Sequence, residues 1–221
     1  RMNEFFWIAL PYHAFAFFLG GTVVRYTFFE RGWSAKSSEF LEKKQLKIAG
    51  PLFHIGLLFT FGGHFGGILV PKLVTEASGV TDEMYHMGAL AGGTMAGTLL
   101  LAGFLLLLRR RFLNGRMAVN TSCMDKWLFL LLFLTIASGC AATASNVSGV
   151  FDYRTTIAPW FRGLLMLQPD AALMAGVPAL FKAHMISWML VAIVFPFTRL
   201  VHCLSFPFEY LWRSAIVYRR K

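Results

Sequence analysis

Charge is what this chain has least of: 14% of its 221 residues are Asp, Glu, Lys or Arg, against about 25% in soluble globular domains. With 57% hydrophobic residues and a mean hydropathy of +0.58, the shortfall points to lipid as the main solvent. Cysteine is scarce too. Cys123, Cys140 and Cys203 are scattered without a CxxC spacing, which excludes an iron–sulfur cluster or zinc site built from cysteines alone. Acidic residues are absent between Ile48 and Val70 and between Ala183 and Phe208. That absence weighs against a transporter or assembly factor using membrane-embedded histidines as a proton relay or bare metal site, since such histidines need acidic partners. The formal net charge of +10 does not indicate nucleic acid, because the cations cluster in short loops rather than along one face.

What is present is a set of long apolar runs. Five stand out, at about 5–24, 48–70, 87–108, 127–146 and 183–208, the last broken only by Arg199. Each reaches the ~20 residues that a spanning helix requires, and only helices or closed barrels satisfy every backbone group inside hydrocarbon. The expected fold is therefore an all-α integral membrane protein, one domain over 1–221, built as a five-helix transmembrane bundle. The first run is too long for the apolar core of a cleavable signal peptide and is expected to be retained. Of the 21 Lys and Arg, all but Arg1, Lys72, Arg154, Arg162 and Lys182 fall on one side of this topology. Positively charged loops stay cytoplasmic, so the N-terminus is expected outside and the C-terminus inside.

Four histidines lie within two of these runs: His54 and His64 in the second, His184 and His202 in the fifth. An ionisable side chain at membrane depth is costly and marks function by default. The two runs are antiparallel, so His54 falls level with His202 near the inner face and His64 with His184 near the outer. Paired imidazoles, one from each of two facing helices, are the ligand set of a six-coordinate haem b. With both axial positions filled, no site remains for substrate on the iron, and the chemistry is electron transfer. Two haems b are therefore expected, with His54, His64, His184 and His202 as iron ligands. In unbroken helices the ten residues from His54 to His64 rise about 15 Å and the eighteen from His184 to His202 about 27 Å, a mismatch that tilted helices or tilted rings would absorb.

Other residues are assigned around this frame. Gly62, Gly63, Gly66 and Gly67 flank His64 and would let a flat ring approach the backbone, with Phe53, Phe59, Phe61 and Phe65 available to pack on it. Arg199, one turn from His202, is the candidate cation for an inner propionate, and Lys182 a weaker outer one. His13 and His86 lack a depth-matched partner and read as interfacial donors; His86 is also a candidate outer proton acceptor, imidazole being the side chain that changes charge near neutral pH. Gly88, Gly92, Gly93 and Gly97 form overlapping GxxxG patterns that suggest close helix packing. The segment 149–182 reads as an interfacial amphipathic stretch, and the basic inner surface as a dock for an acidic soluble partner.

These residues carry a family resemblance. Leu52-Phe53-His54-Ile55-Gly56, Gly63-His64-Phe65, Phe195-Pro196-Phe197-Thr198-Arg199-Leu200-Val201-His202, Pro207 and Glu209-Tyr210-Leu211 resemble the gamma subunit, the dihaem cytochrome b, of membrane-bound respiratory nitrate reductases. Arg25-Tyr26 and Ala91-Gly92-Gly93 are similar as well. The resemblance implies quinol oxidation near the outer haem (His64, His184) and electron passage to the inner haem (His54, His202). It further implies delivery to an iron–sulfur beta subunit and a molybdenum-containing alpha subunit, in a bacterial or archaeal cytoplasmic membrane. It places the quinol site by Gly63, His64 and the start of the third span. There the chain departs from the family: Asp82-Glu83-Met84-Tyr85-His86 stands where a basic side chain is expected, leaving His86 as the available substitute. Cytochromes b of sulfite-reduction or heterodisulfide-reductase-type complexes share the histidine pattern and are the nearest alternative.

Overall fold

A computed structural model describes residues 2–29 and 41–204. Among them there is no strand, and five helices are long and apolar enough to cross a membrane. Helix α1 spans Met2–Phe28, with one π turn over Phe5–Ala9; α2 spans Leu46–Leu69. A short α3 (Lys72–Ala77) leads to the longest helix, α4 (Asp82–Leu113), and α5 (Gly115–Val119) turns the chain into α6 (Cys123–Ser145). Then come α7 (Ile157–Leu165) and α8 (Ala179–Val194). Helix starts carry their own signals. Thr81 accepts from the Met84 amide at 3.2 Å, and Ser122 and Asp125 form a reciprocal capping box over the first turn of α6, which satisfies otherwise orphaned N–H groups.

The fifth span departs from the expected single helix over 183–208. Its α-helix ends at Val194, and 3-10 turns follow over Phe195–Phe197 and Arg199–Leu204, with Thr198 extended between them. Pro196 is the local cause, because it offers no amide to continue the helical ladder. Arg25 secures the break by donating Nη1 to the carbonyls of Pro196 at 2.6 Å and Thr198 at 2.8 Å. Residues 205–208 of that run, the motif positions Pro207 and Glu209-Tyr210-Leu211, and Arg31, Lys36 and the C-terminal cations lie outside the described residues.

The packed helix pairs are α2 with α4, α4 with α6, α6 with α8, and α8 with α1. Contact between α2 and α4 is close because two glycines allow it. A Cβ on Gly56 would strike the Leu100 backbone, and one on Gly103 the Phe53 backbone. Of the GxxxG residues, Gly97 packs against Cys140 and Gly93 against Thr143, while Gly88 and Gly92 meet no neighbour.

The larger apolar core lies where an interfacial segment was expected. Helix α7 buries Ala158 and turns Ile157, Trp160 and Leu164 inward, onto Trp7 and Ala14 of α1, Met189 of α8, and Met174 and Val177 of the following segment. Trp160 is 1% exposed, meets Trp7 edge-on at 5.7 Å and donates Nε1 to the Trp7 carbonyl at 2.8 Å. The segment is amphipathic as expected, but it caps the end of the bundle where α2 finishes and α4 begins, as a packed element. Arg162 adds a bond from Nη1 to the Ile68 carbonyl at 2.7 Å, at the end of α2.

Candidate haem-binding site

Helices α2 and α8 are not among the closely packed pairs, yet the α2 histidines face His184 of α8 and His202 of the 3-10 turn that follows it. The His64 and His184 rings lie with centroids 5.8 Å apart, and those of His54 and His202 lie 6.5 Å apart. Metal–imidazole bonds of about 2 Å on both sides of one ion, plus roughly 1.1 Å from nitrogen to ring centre, place two axial imidazoles about 6 Å apart. Both pairs are close to that span.

Hydrogen bonding fixes how the rings present themselves. Each of the four imidazoles places Nδ1 on a backbone carbonyl: His54 on Gly50 at 2.8 Å, His64 on Thr60 at 2.7 Å, His184 on Thr135 at 2.9 Å and His202 on Arg199 at 2.6 Å. A carbonyl only accepts, so Nδ1 carries the proton and Nε2 keeps its lone pair. This is the arrangement of a metal-ligating histidine, whose second nitrogen is tied to a carbonyl that sets tautomer and ring orientation. Among the described residues no group of three or more His, Cys, Asp or Glu side chains converges as a bare metal site. Two imidazoles per iron, with the remaining ligands from a macrocycle, fit this donor set.

The rise mismatch read from the sequence disappears, because the stretch from His184 to His202 is not one helix. Helix α6 serves as the ruler. His184 meets it at Thr135, and Arg199, beside His202, meets it at Asp125. Those ten residues of α6 rise about 15 Å, the same as the ten residues separating His54 and His64 on α2.

The remaining assigned residues are placed as follows. Arg199 grips Asp125 through two bonds of 2.7 Å. Lys182 donates to the Ala175 carbonyl at 3.1 Å. His86 donates Nε2 to the Val147 carbonyl at 3.1 Å, at the turn containing Gly149, and His13 bonds the Ala9 carbonyl within its own helix at 2.7 Å. Gly62, Gly63 and Gly66 face open space, whereas Gly67 abuts the hydroxyls of Tyr153 and Tyr85. Phe53 packs on Phe104 and edge-on to His54; Phe59, Phe61 and Phe65 are exposed.

Sequence reasoning missed three features. Gly139 gives His184 its place on α6, Asp125 holds Arg199, and an ionic cluster closes the end of the bundle where α4 begins. In that cluster Lys72 reaches Asp82 at 2.8 Å and Asp152 at 3.4 Å, and Arg154 reaches Asp82 at 2.8 Å and Asp152 at 3.0 Å. Arg154 also stacks 3.8 Å over Tyr85, whose hydroxyl pairs with that of Tyr153 at 2.9 Å. Burial, then the Tyr85 hydroxyl, pushes the Tyr153 phenol well above its ordinary range, so it is neutral and available as a donor.

Five apolar helices, with two histidine pairs facing each other among them, mark a multi-pass helical membrane protein. The family is shown by sequence: residues 3–221 match the nitrate reductase gamma subunit family, to which the chain belongs. It is 44% identical over 220 residues to the nitrate reductase gamma chain of Bacillus subtilis (strain 168), covering 99% of both chains. It is 34% identical over 224 residues to the respiratory nitrate reductase 1 gamma chain of Escherichia coli (strain K12), covering 100% of this chain and 98% of that one. A nitrate reductase-like protein, NarX, of Mycobacterium tuberculosis (strain ATCC 25618 / H37Rv) is 38% identical over 223 residues, a match that takes in 34% of its length. The chain is thus a membrane-anchored subunit type of nitrate reductase complexes.

Proposed function

We propose that this chain is the quinol-oxidising dihaem cytochrome b of a respiratory nitrate reductase, with His64 and His184 holding the outer haem and His54 and His202 the inner. The observation that carries the reading is the facing of four imidazole rings in two pairs, with centroids 5.8 and 6.5 Å apart. Bound haem supplies one-electron carriage between a two-electron donor and a distant acceptor. The chain's own residues hold and orient. Carbonyls of Gly50, Thr60, Thr135 and Arg199 hold each Nδ1, which leaves each Nε2 as the nitrogen for the iron. The fixed rings require little rearrangement on electron transfer. The quinol site lies on the open side of Gly63 and His64, by the start of α4, where Tyr153, Tyr85 and His86 offer hydroxyl and imidazole donors.

The N-terminus faces outside and the C-terminus the cytoplasm of a bacterial or archaeal cell. Electrons leave the inner pair for an iron–sulfur beta subunit and then a molybdenum-containing alpha subunit, where nitrate is reduced. Cationic inner loops supply the docking charge. The test is a pyridine-haemochrome assay with a reduced-minus-oxidised spectrum on the purified chain. Two b haems per polypeptide, reducible by quinol, are expected. A folded chain purified from cells with ample haem that carries none would overturn the assignment.

A further inference from the structure

Asp125 is the one acidic residue between Glu83 and Asp152. It stands in the first turn of α6, its side chain 10% exposed, ringed by donors. Arg199 gives Nε to Oδ1 and Nη2 to Oδ2, both at 2.7 Å; Arg111 gives Nη2 to Oδ2 at 2.7 Å; the Ser122 amide adds a bond at 3.1 Å. A two-pronged guanidinium–carboxylate contact fixes direction as well as distance. The main-chain carbonyl of that same Arg199 receives Nδ1 of His202 at 2.6 Å.

We propose that Asp125 is a positioning residue for the inner ligand: it fixes Arg199, whose carbonyl sets the tautomer and plane of His202. The inference rests on the assignment of His54 and His202 as an iron-ligand pair. The asymmetry between the two ligands explains the need. His54 bonds a carbonyl four residues back inside a long α-helix, which is rigid unaided. His202 rides on the 3-10 turn Arg199–Leu204, after a proline and an extended residue, and 3-10 hydrogen bonds hold geometry poorly. Arg25 pins this segment at Pro196 and Thr198, and Asp125 pins it at Arg199. A buried carboxylate serving two arginines adds little net stability over an apolar replacement, which suits a role in geometry.

The test is Asp125→Asn in the complete membrane complex. Asparagine is isosteric and keeps an acceptor for the Ser122 amide, but it cannot hold two guanidinium groups as a carboxylate does. The readout is the low-spin electron paramagnetic resonance signal of each haem, which reports the angle between its two imidazole planes, 75° for His54 and His202. Expected are two haems per chain, a moved inner signal, an unmoved outer signal, and a smaller inner change in Asp125→Glu, which restores the charge one methylene away. An inner signal at its wild-type position overturns the proposal, even if the potential shifts, because loss of charge alone accounts for a potential. Equal movement of both signals overturns it as well. Should Asp125→Asn not accumulate, Asp125→Glu is read by the same signals, and an unmoved inner haem again overturns it. A wild-type chain without an inner haem refutes the ligand pair itself, a separate failure.

Discussion

A Cβ atom placed on Gly139 would stand 2.8 Å from Cε1 of His184 and 3.1 Å from its Nδ1. The ring cannot easily yield, because Nδ1 is bonded to the Thr135 carbonyl one turn earlier on the same helix. Gly139→Ala should therefore turn His184 away from His64 while leaving the inner pair alone. Changes that misorient a metal ligand cost about 10–100-fold in metal affinity or activity. The expected result is a weakened or spectrally shifted outer haem and quinol oxidation reduced by that order. Outer-haem spectrum and turnover both at wild-type level would show that the glycine has no such part.

The two histidine pairs should be separable. His202→Ala or His54→Ala should leave one b haem per chain, still reduced by quinol, while electron delivery to nitrate falls to background. His64→Ala or His184→Ala should abolish quinol oxidation. Haem counting and quinol-driven reduction of the remaining haem distinguish the two. Loss of both haems from a single inner substitution would instead mean that the pairs are required together for assembly.

The spans and the facing of the four histidines were legible because both signals are strong in one sequence. Uncharged runs of twenty residues have few readings, and histidines within them stand out against lipid. Antiparallel depth matching did the rest. The break at Thr198 was less legible: Pro196 was visible, but a proline in an apolar run can kink a helix or end it. Gly139 was illegible, since a glycine gives no sign of which side chain leans on it. Asp125 left a trace as a lone acid in a basic stretch, although only the fold brings Arg111 and Arg199 to it. The core role of α7 was partly written in Ile157, Trp160, Phe161 and Leu164, whose helical spacing marks an apolar stripe without showing what it covers.

Glycines on α4 should differ sharply in their tolerance. Gly103→Ala drives a methyl group into the Phe53 backbone, which cannot rotate aside, and overpacking of this kind costs about 1–3 kcal/mol. Gly88→Ala enters open space and should be neutral or slightly stabilising, since alanine favours the helix by up to ~1 kcal/mol. Thermal unfolding of the detergent-solubilised chain, followed by circular dichroism, measures both. Equal midpoints for the two variants would contradict the close α2–α4 packing.

The cluster of Lys72, Asp82, Asp152 and Arg154 should make stability sensitive to acid. Burial raises the pKa of the Asp152 carboxyl, but hydrogen bonds from the Arg154 side chain and amide, with help from Lys72, outweigh it and hold the group below its ordinary range. With the folded pKa below the unfolded one, the carboxylate contributes stability in full above the unfolded value of about 3.9. That contribution is lost as pH falls through the folded pKa. Asp152 is 31% exposed, so solvent screening limits the effect to about 1 kcal/mol. Asp152→Asn should therefore melt below wild type at pH 7, and the gap should close as both are taken below pH 4. A gap that persists unchanged into acid would show that the asparagine disturbs packing and not the charge cluster, and equal midpoints at pH 7 would show that the cluster contributes nothing measurable.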